Sequence, residues 1–511
     1  MSKQEHKHSG NSIIRVVFVA LSVLFQVSWL LLLAVKLNEY SAWISLFTSI
    51  LSLAAVLRLY SKHTNTAMKV SWIMILLVFP VMGLSMYLLF DILSDPGVGK
   101  RMAAARKEMQ KSLPKNPQVI SRVEETSLSA ARQFTYLENC QNWPVYENTR
   151  VTYYPEAVDA FEDMKRDLER AERFIFMEYF IVEDGSSFWE IEDILIRKAR
   201  SGVDVRLLYD DIGSMGYVNM RFAQRMNQEG ILCYAFNPAL PFLNLFMNHR
   251  DHRKITVIDG KVGYTGGYNL SDDYFGRTRR LGKWKDTGLR LEGEAVRSLT
   301  AAFGEIWSVQ SRSKEDFSAL LNITHRVPVP GYVQPYTDNP LSEERTAENV
   351  YLNLINQANQ TLYFMTPYLI ITDEMDRALR LAAKRGVDVR IITPGIPDKK
   401  TVFAITRSYY GGLTQQGVRI FEYTPGFCHA KVCICDGSIA SVGTSNLDYR
   451  SLYHHFENNV LFTDCDAVGQ VAADFETLFP QCEEVTERYR TGRGAMLRLW
   501  QCILRLFSPL L

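Results

Sequence analysis

Ala199-Arg-Ser-Gly-Val-Asp-Val-Arg-Leu-Leu208 recurs 184 residues further on as Ala383-Lys-Arg-Gly-Val-Asp-Val-Arg-Ile-Ile392. Each copy reads as the end of a helix, a glycine stop and a buried strand, since Gly closes helices and Val, Leu and Ile fill strands. Working outward, a helical stretch precedes each copy. A strand precedes that helix, over Arg173–Ile181 in one copy and Gln360–Leu369 in the other. A second strand ending in proline follows, over Ile231–Pro238 and Val418–Pro425. Strand–helix alternation predicts α/β units around a largely parallel or mixed sheet. The duplication makes two tandem α/β domains, 126–325 and 326–485.

The copies are most alike where polar residues cluster. One reads His252-Arg-Lys254-Ile-Thr-Val-Ile-Asp259, then Gly266-Gly-Tyr-Asn269; the other reads His429-Ala-Lys431-Val-Cys-Ile-Cys-Asp436, then Gly443-Thr-Ser-Asn446. In both, Lys follows His by two, Asp by seven and Asn by seventeen. Strand residues i and i+2 share a face, so each His and Lys point the same way. An imidazole nucleophile and a cation holding an anion need that arrangement. Asp259 and Asp436 have the opposite parity and begin Asp-Gly turns, which predicts a supporting place for them unless a bulge resets the register. Asn269 and Asn446 follow glycines that let a ligand approach the backbone, and they offer neutral donors.

These spacings resemble the twin signature of the phospholipase D superfamily, over about residues 130–490. Trp284-Lys-Asp286-Thr, Thr366-Pro-Tyr368, Asn446-Leu-Asp-Tyr-Arg450-Ser, Phe456-Glu457 and the Leu-Phe-Ser-Pro-Leu-Leu ending narrow the resemblance to the bacterial cardiolipin synthases. Asp251 stands where that family usually has Asn, and His454-His455 where it has Leu-Asn. The resemblance implies that both copies pack as one pseudo-two-fold unit, with a catalytic set of His252, Lys254, Asp259, His429, Lys431 and Asp436. It implies His252 as the nucleophile forming a phosphatidyl-histidine intermediate, and His429 as acid and then base. Lys254, Lys431, Asn269 and Asn446 would hold the substrate phosphate. Asp286 and Glu457, 34 and 28 residues after the motif His of their own copy, would orient the imidazoles. The implied lipids are phosphatidylglycerol as substrate and cardiolipin as product, with no cofactor and no metal, because side chains already supply the cations. A phospholipase D-type hydrolase, a nuclease-like phosphodiesterase or a transferase using another acceptor alcohol would share the same residues. A scaffold without activity does not suit two intact His/Lys pairs.

Apolar residues crowd into the first 90 positions. Val16–Val35 has 17 apolar residues in 20 and Val70–Phe90 has 17 in 21, each long enough for a hydrocarbon core of about 30 Å. A weaker run lies between them. The expectation is a transmembrane region over 1–95 with two to three spans (16–35, 41–60 and 70–90), kinked at Pro80 or Gly83, in a multi-pass protein of the bacterial cell membrane. Six basic residues on one side of the spans and five on the other assign no orientation. Residues 96–125 follow as a basic juxtamembrane linker, with six Lys/Arg between Lys100 and Lys115 against Glu108 alone. A loop over Leu240–Met247, absent from the second copy, reads as an apolar element beside the site. Residues 486–511 read as an amphipathic, membrane-associated helix.

With 57 Lys+Arg against 56 Asp+Glu, the net charge of +1 argues against a nucleic-acid partner. Eight Cys are too few for a disulfide scaffold. Cys433 and Cys435 read as small core residues, and His63, His249, His325, His454 and His455 as surface or local hydrogen-bonding groups. The sequence carries no indication of oligomeric state.

Overall fold

The computed structural model describes residues 42–62, 64–88, 96–238, 249–312, 315–491 and 495–510, with scattered helical positions between 17 and 36. The repeated stretch does locally what its residues dictate. The Ser186–Arg200 and Asp373–Lys384 helices end on Gly202 and Gly386, at φ +92° and +96°, where a side chain would be strained. The amides of Val203 and Val387 then reach back to the carbonyls of Lys198 and Ala382. That bond closes each helix and launches the buried Asp204–Asp210 and Asp388–Pro394 strands.

Each copy builds one mixed sheet, and the two sheets share a strand order. The first runs Thr149–Tyr154, Gly288–Gly293, Val262–Gly266, Lys254–Ile258, Phe174–Tyr179, Asp204–Asp210, Leu232–Phe236. In the second, Tyr332–Asp338, His455–Thr463, Ile439–Gly443, Val432–Cys435, Thr361–Met365, Asp388–Pro394 and Arg419–Tyr423 take the equivalent places. The strands joined by helices pair in parallel, and the motif strands pair antiparallel with their neighbours. Arg250–Asp251 of the first copy pairs in parallel with His455 and Phe456 of the second, and Lys285 bridges Cys428. One apolar cluster runs through both copies, from Phe176 and Phe303 to Leu362 and Phe462, so the halves share a core. Cys433 and Cys435 are buried free thiols within it.

The basic 96–125 segment is helical, over Pro96–Lys111 and Pro117–Thr126, and it buries Met102, Met109 and Val123 in that core. Among the described residues no helix is long and apolar enough to cross a membrane. The run 70–90 is divided at Phe79 into Thr66–Val78 and Pro80–Tyr87. Pro80 has no amide hydrogen for the ladder, and Gly83 lies so close to Ile75 O that a Cβ would approach to 2.6 Å. The Ala42–Ser61 helix interrupts its apolar run with Ser45, Thr48, Ser49, Ser52 and Arg58. Most of the 16–35 run and the whole Leu240–Met247 loop lie outside the described residues.

These N-terminal helices dock on the catalytic unit. Asn65 caps the Thr66–Val78 helix and also reaches Tyr453 Oη at 3.2 Å, on the π-helical turn Arg450–His454. Ser71 donates to Leu506 O at 2.6 Å, which ties in the C-terminal helix Ala495–Phe507. Arg505 of that helix stacks on Tyr409, and Trp500 and Ile503 stay exposed.

Candidate active site

His252 and Lys254 sit at the entry of the first motif strand, and His429 and Lys431 at that of the second. All four are buried, and the charges of Lys254, His429 and Lys431 all bear on His252. Lys254 Nζ donates to His252 O at 2.5 Å, and Lys431 Nζ donates to His429 O. Each cation is thus held against its own histidine.

The orienting carboxylates are exchanged between the copies. His252 Nδ1 meets both oxygens of Glu457, at 2.9 and 3.0 Å, and His429 Nδ1 meets Asp286 Oδ2 at 2.7 Å. The sequence names these two acids as orienting groups without saying which histidine each serves, and the structure pairs each with the other copy's histidine. The backbone explains the exchange: His252 N–H donates to Phe456 O at 2.9 Å, and His429 N–H to Lys285 O at 2.7 Å. Each motif strand thus enters beside the residue preceding the other copy's carboxylate. Gly267 leaves room for Asp286, since a Cβ there would fall 2.1 Å from Asp286 Oδ1. The equivalent Thr444 instead donates to Glu457 Oε2.

Asp259 and Asp436 take the supporting place that their parity predicts, beside the catalytic membership that the resemblance implies. Their φ values are +53° in both cases, each followed by a glycine at positive φ, which is the pattern of a tight hairpin turn. Asp259 accepts the amides of Glu172, Arg173 and Phe174 at 2.8–2.9 Å, and Asp436 those of Asn359, Gln360 and Thr361. They pin the turn to the start of the neighbouring strand and take no part in the reacting cluster. Asp259→Ala removes three bonds to a carboxylate and puts a Cβ residue without a polar side chain at positive φ. The expected cost is about 3 kcal/mol, read from the denaturation midpoint, with the folded fraction still active.

The asparagines divide. Asn269 accepts the Ile181 amide at 3.0 Å and donates to Tyr274 Oη at 2.7 Å, a bracing task rather than the phosphate contact expected of it. Asn446 donates to Asp448 at 3.1 Å, while its buried Oδ1 finds no hydrogen-bond partner among the described residues. Asp251 pairs with Arg253 at 3.4 Å, beside Glu178, which accounts for an acidic residue at that position.

Aromatic rings wall the site. Phe180 meets His252 edge-on at 4.9 Å; Tyr274, Trp284 and Phe427 stand 5.2, 5.7 and 5.8 Å from His429. Burial, and then Lys254, push His252 well below the usual imidazole range. The same burial, with Lys431, lowers His429 to about 4. Burial also brings Lys254 down to about 7 and Lys431 to about 8, because a desolvated ammonium is costly. Two neutral imidazoles and two weakly held ammonium protons suit a nucleophile, a proton carrier and an anion clamp.

His455 is one of five histidines that sequence reasoning leaves as surface or local hydrogen-bonding groups. It is buried, with its ring 5.5 Å from that of His252. The departure from Asn at this position was the available signal.

A duplicated α/β unit with paired His/Lys motifs across its two-fold seam defines the phospholipase D-like class. Residues 164–307 and 351–479 match the family described as "Cardiolipin synthase, PLD-like domain", and residues 50–90 match "Phospholipase_D-nuclease N-terminal". The chain is 32% identical over 481 residues to a cardiolipin synthase of Halalkalibacterium halodurans, covering 91% of this chain and 92% of that one. It is 40% identical over 462 residues to an uncharacterized protein of Streptococcus mutans, covering 90% and 100%. The fold is similar to that of the phosphatidylserine synthase of Haemophilus influenzae, with TM-score 0.56 and 14% identity, covering 74% of this chain and 99% of that one. The chain belongs to the cardiolipin synthase family, phosphatidyltransferases built on the phospholipase D-like domain.

Proposed function

We propose that the protein transfers the phosphatidyl group of one phosphatidylglycerol to the headgroup hydroxyl of another, giving cardiolipin and glycerol. The exchanged carboxylates carry this reading, because each draws one imidazole Nδ1 toward the acid, with Lys431 Nζ also 2.9 Å from His429 Nδ1, and neither Nε2 has a hydrogen-bond partner among the described residues. His252 Nε2 attacks phosphorus, and the bond from phosphorus to the glycerol oxygen breaks. His429 gives that oxygen its proton. The lipid phosphate brings negative charge that raises His429 from its value in the empty site, so the imidazole can carry the proton. The primary hydroxyl of the second lipid then gives its proton to His429, attacks phosphorus and expels His252. Lys254 and Lys431 stabilise the charge on the non-bridging oxygens. Asn446 can add its second Nδ2 hydrogen to the same oxygens, the first being given to Asp448.

We place the protein at the bacterial cell membrane with its N-terminal region in the bilayer. Leu46, Phe47, Ile50, Leu53 and Leu57 of one helix and Val70, Leu77 and Val78 of the next are exposed, an apolar surface that suits lipid and not water. The exposed Trp500 and Ile503 add to it from the docked C-terminal helix.

The test is a product assay with labelled phosphatidylglycerol in detergent–lipid mixtures. Cardiolipin and glycerol in equal amounts are expected; phosphatidic acid alone would make the protein a hydrolase. The pH profile is a second check. His429 titrates near 4, His252 is held well below the usual imidazole range, and the lysines lose their protons near 7 and 8. kcat/KM, which reports the free enzyme, should therefore fall as the pH rises above about 4, where free His429 no longer carries the proton it must donate, and fall more steeply through the lysine range. A profile rising from pH 7 to 9 would contradict the lysine assignment.

A further inference from the structure

His455 opens the His455–Thr463 strand two residues before Glu457, so both side chains leave the same face. Its Nδ1 is buried without a hydrogen-bond partner among the described residues, a costly state for a polar atom. That Nδ1 lies 3.9 Å from Glu457 Oε1, the oxygen that His252 Nδ1 meets at 2.9 Å. The ligand atoms of the three residues all lie within 4.8 Å of one another. An ion about 2.1 Å from its ligands joins atoms up to about 4.2 Å apart, so the trio closes on one ion with little movement.

We propose that His252, His455 and Glu457 form an inhibitory site for a borderline-soft divalent cation of the zinc class. Two imidazoles and one carboxylate suit such an ion and disfavour Mg2+ or Ca2+, which prefer oxygen ligands. The ion takes the Nδ1 lone pair of His252, and the proton there moves to Nε2. The nitrogen that would attack phosphorus then has no free pair. His455 makes the same tautomer change, which turns Arg450 Nη1 away from its Nε2, now 3.4 Å distant. Lys254 and Lys431 oppose a cation, so binding is weaker and more readily reversed than at a structural zinc site. Binding at the trio stands by itself, whereas the inhibition rests on His252 being the nucleophile.

Cobalt titration of the purified full chain in detergent, without lipid, separates the two. A Cys140→Ser/Cys502→Ser background removes the exposed thiols. One equivalent of Co2+ should give a visible ligand-field band that Zn2+ displaces and that His455→Asn abolishes. In the lipid assay, Zn2+ should inhibit reversibly by chelation where equal Mg2+ does not. His455→Asn should raise the half-inhibitory concentration about tenfold or more. No saturable band in the parent protein, or equal band and zinc sensitivity in both proteins, overturns the proposal. The parent titration decides even if His455→Asn misfolds. A zinc-displaceable band without inhibition would overturn the inhibitory role and leave the product assay to judge the reaction.

Discussion

His252→Gln lowers transfer by about 10^4-fold or more, because a nucleophile has no partial substitute. At about 1.4 kcal/mol per factor of ten, that is a loss of more than about 5 kcal/mol of transition-state stabilisation. Glutamine retains polarity and much of the volume at a buried position, so the loss is chemical rather than a consequence of misfolding. Reactions quenched with denaturing detergent at neutral pH, which spares the acid-labile phosphorus–nitrogen bond, and run with lipid labelled at phosphorus give a sharper readout than turnover. The parent protein should carry label on a histidine during turnover, and His252→Gln should carry none. His429→Gln should lose turnover to a similar extent. Whatever label it acquires should persist, because no base activates the second hydroxyl. Label on His252→Gln would move the nucleophile to His429 and reverse the order of the two half-reactions.

The strands around the repeat were legible because short-range rules govern them. Arg173–Ile181 and Val418–Pro425 were expected where Phe174–Tyr179 and Arg419–Tyr423 form. Glycine stops and runs of β-branched residues act over a few positions and need no tertiary information. Parity likewise turned Asp259 and Asp436 away from the histidines, against their membership of the signature. The exchange of Asp286 and Glu457 was not legible. It depends on Arg250–Asp251 pairing with a strand some 205 residues away, and spacing within one copy says nothing of contacts between copies. Asn269 shows a related limit: the motif gives its position but not Tyr274 or the Ile181 amide, each of which engages one side of its amide group. From the sequence His455 reads only as a surface or local hydrogen-bonding group, because a histidine without a repeat partner carries no further signal, and the fold alone buries it beside His252.

Glu457→Gln should fail at formation of the labelled intermediate, and Asp286→Asn chiefly at its breakdown. Gln has one acceptor oxygen, and in the parent protein Glu457 serves both His252 and Thr444. The substituted residue satisfies one of them or presents an N–H to the imidazole, which then takes the wrong tautomer. A comparable exchange in a serine protease costs about 10^4-fold, and a loss of about 10^3-fold or more in the labelling rate is expected. Asp286 bears on His429, which in the proposed mechanism protonates the leaving glycerol and deprotonates the incoming hydroxyl. Glycerol departs from a phosphorus already under attack by His252, whereas the second hydroxyl needs a base. Asp286→Asn should therefore accumulate label while product release slows by about 10^2-fold or more. Each substitution lies in the copy opposite to the histidine it disables, so the two labelling outcomes test the exchange directly. Label accumulating on Glu457→Gln but absent from Asp286→Asn would show that each carboxylate serves the histidine of its own copy during the reaction. The two halves would then have to be regarded as separate sites. The exchanged arrangement predicts the reverse: neither half can hold a competent imidazole alone, which gives the shared core and the cross-copy strand pairing a catalytic as well as a structural task.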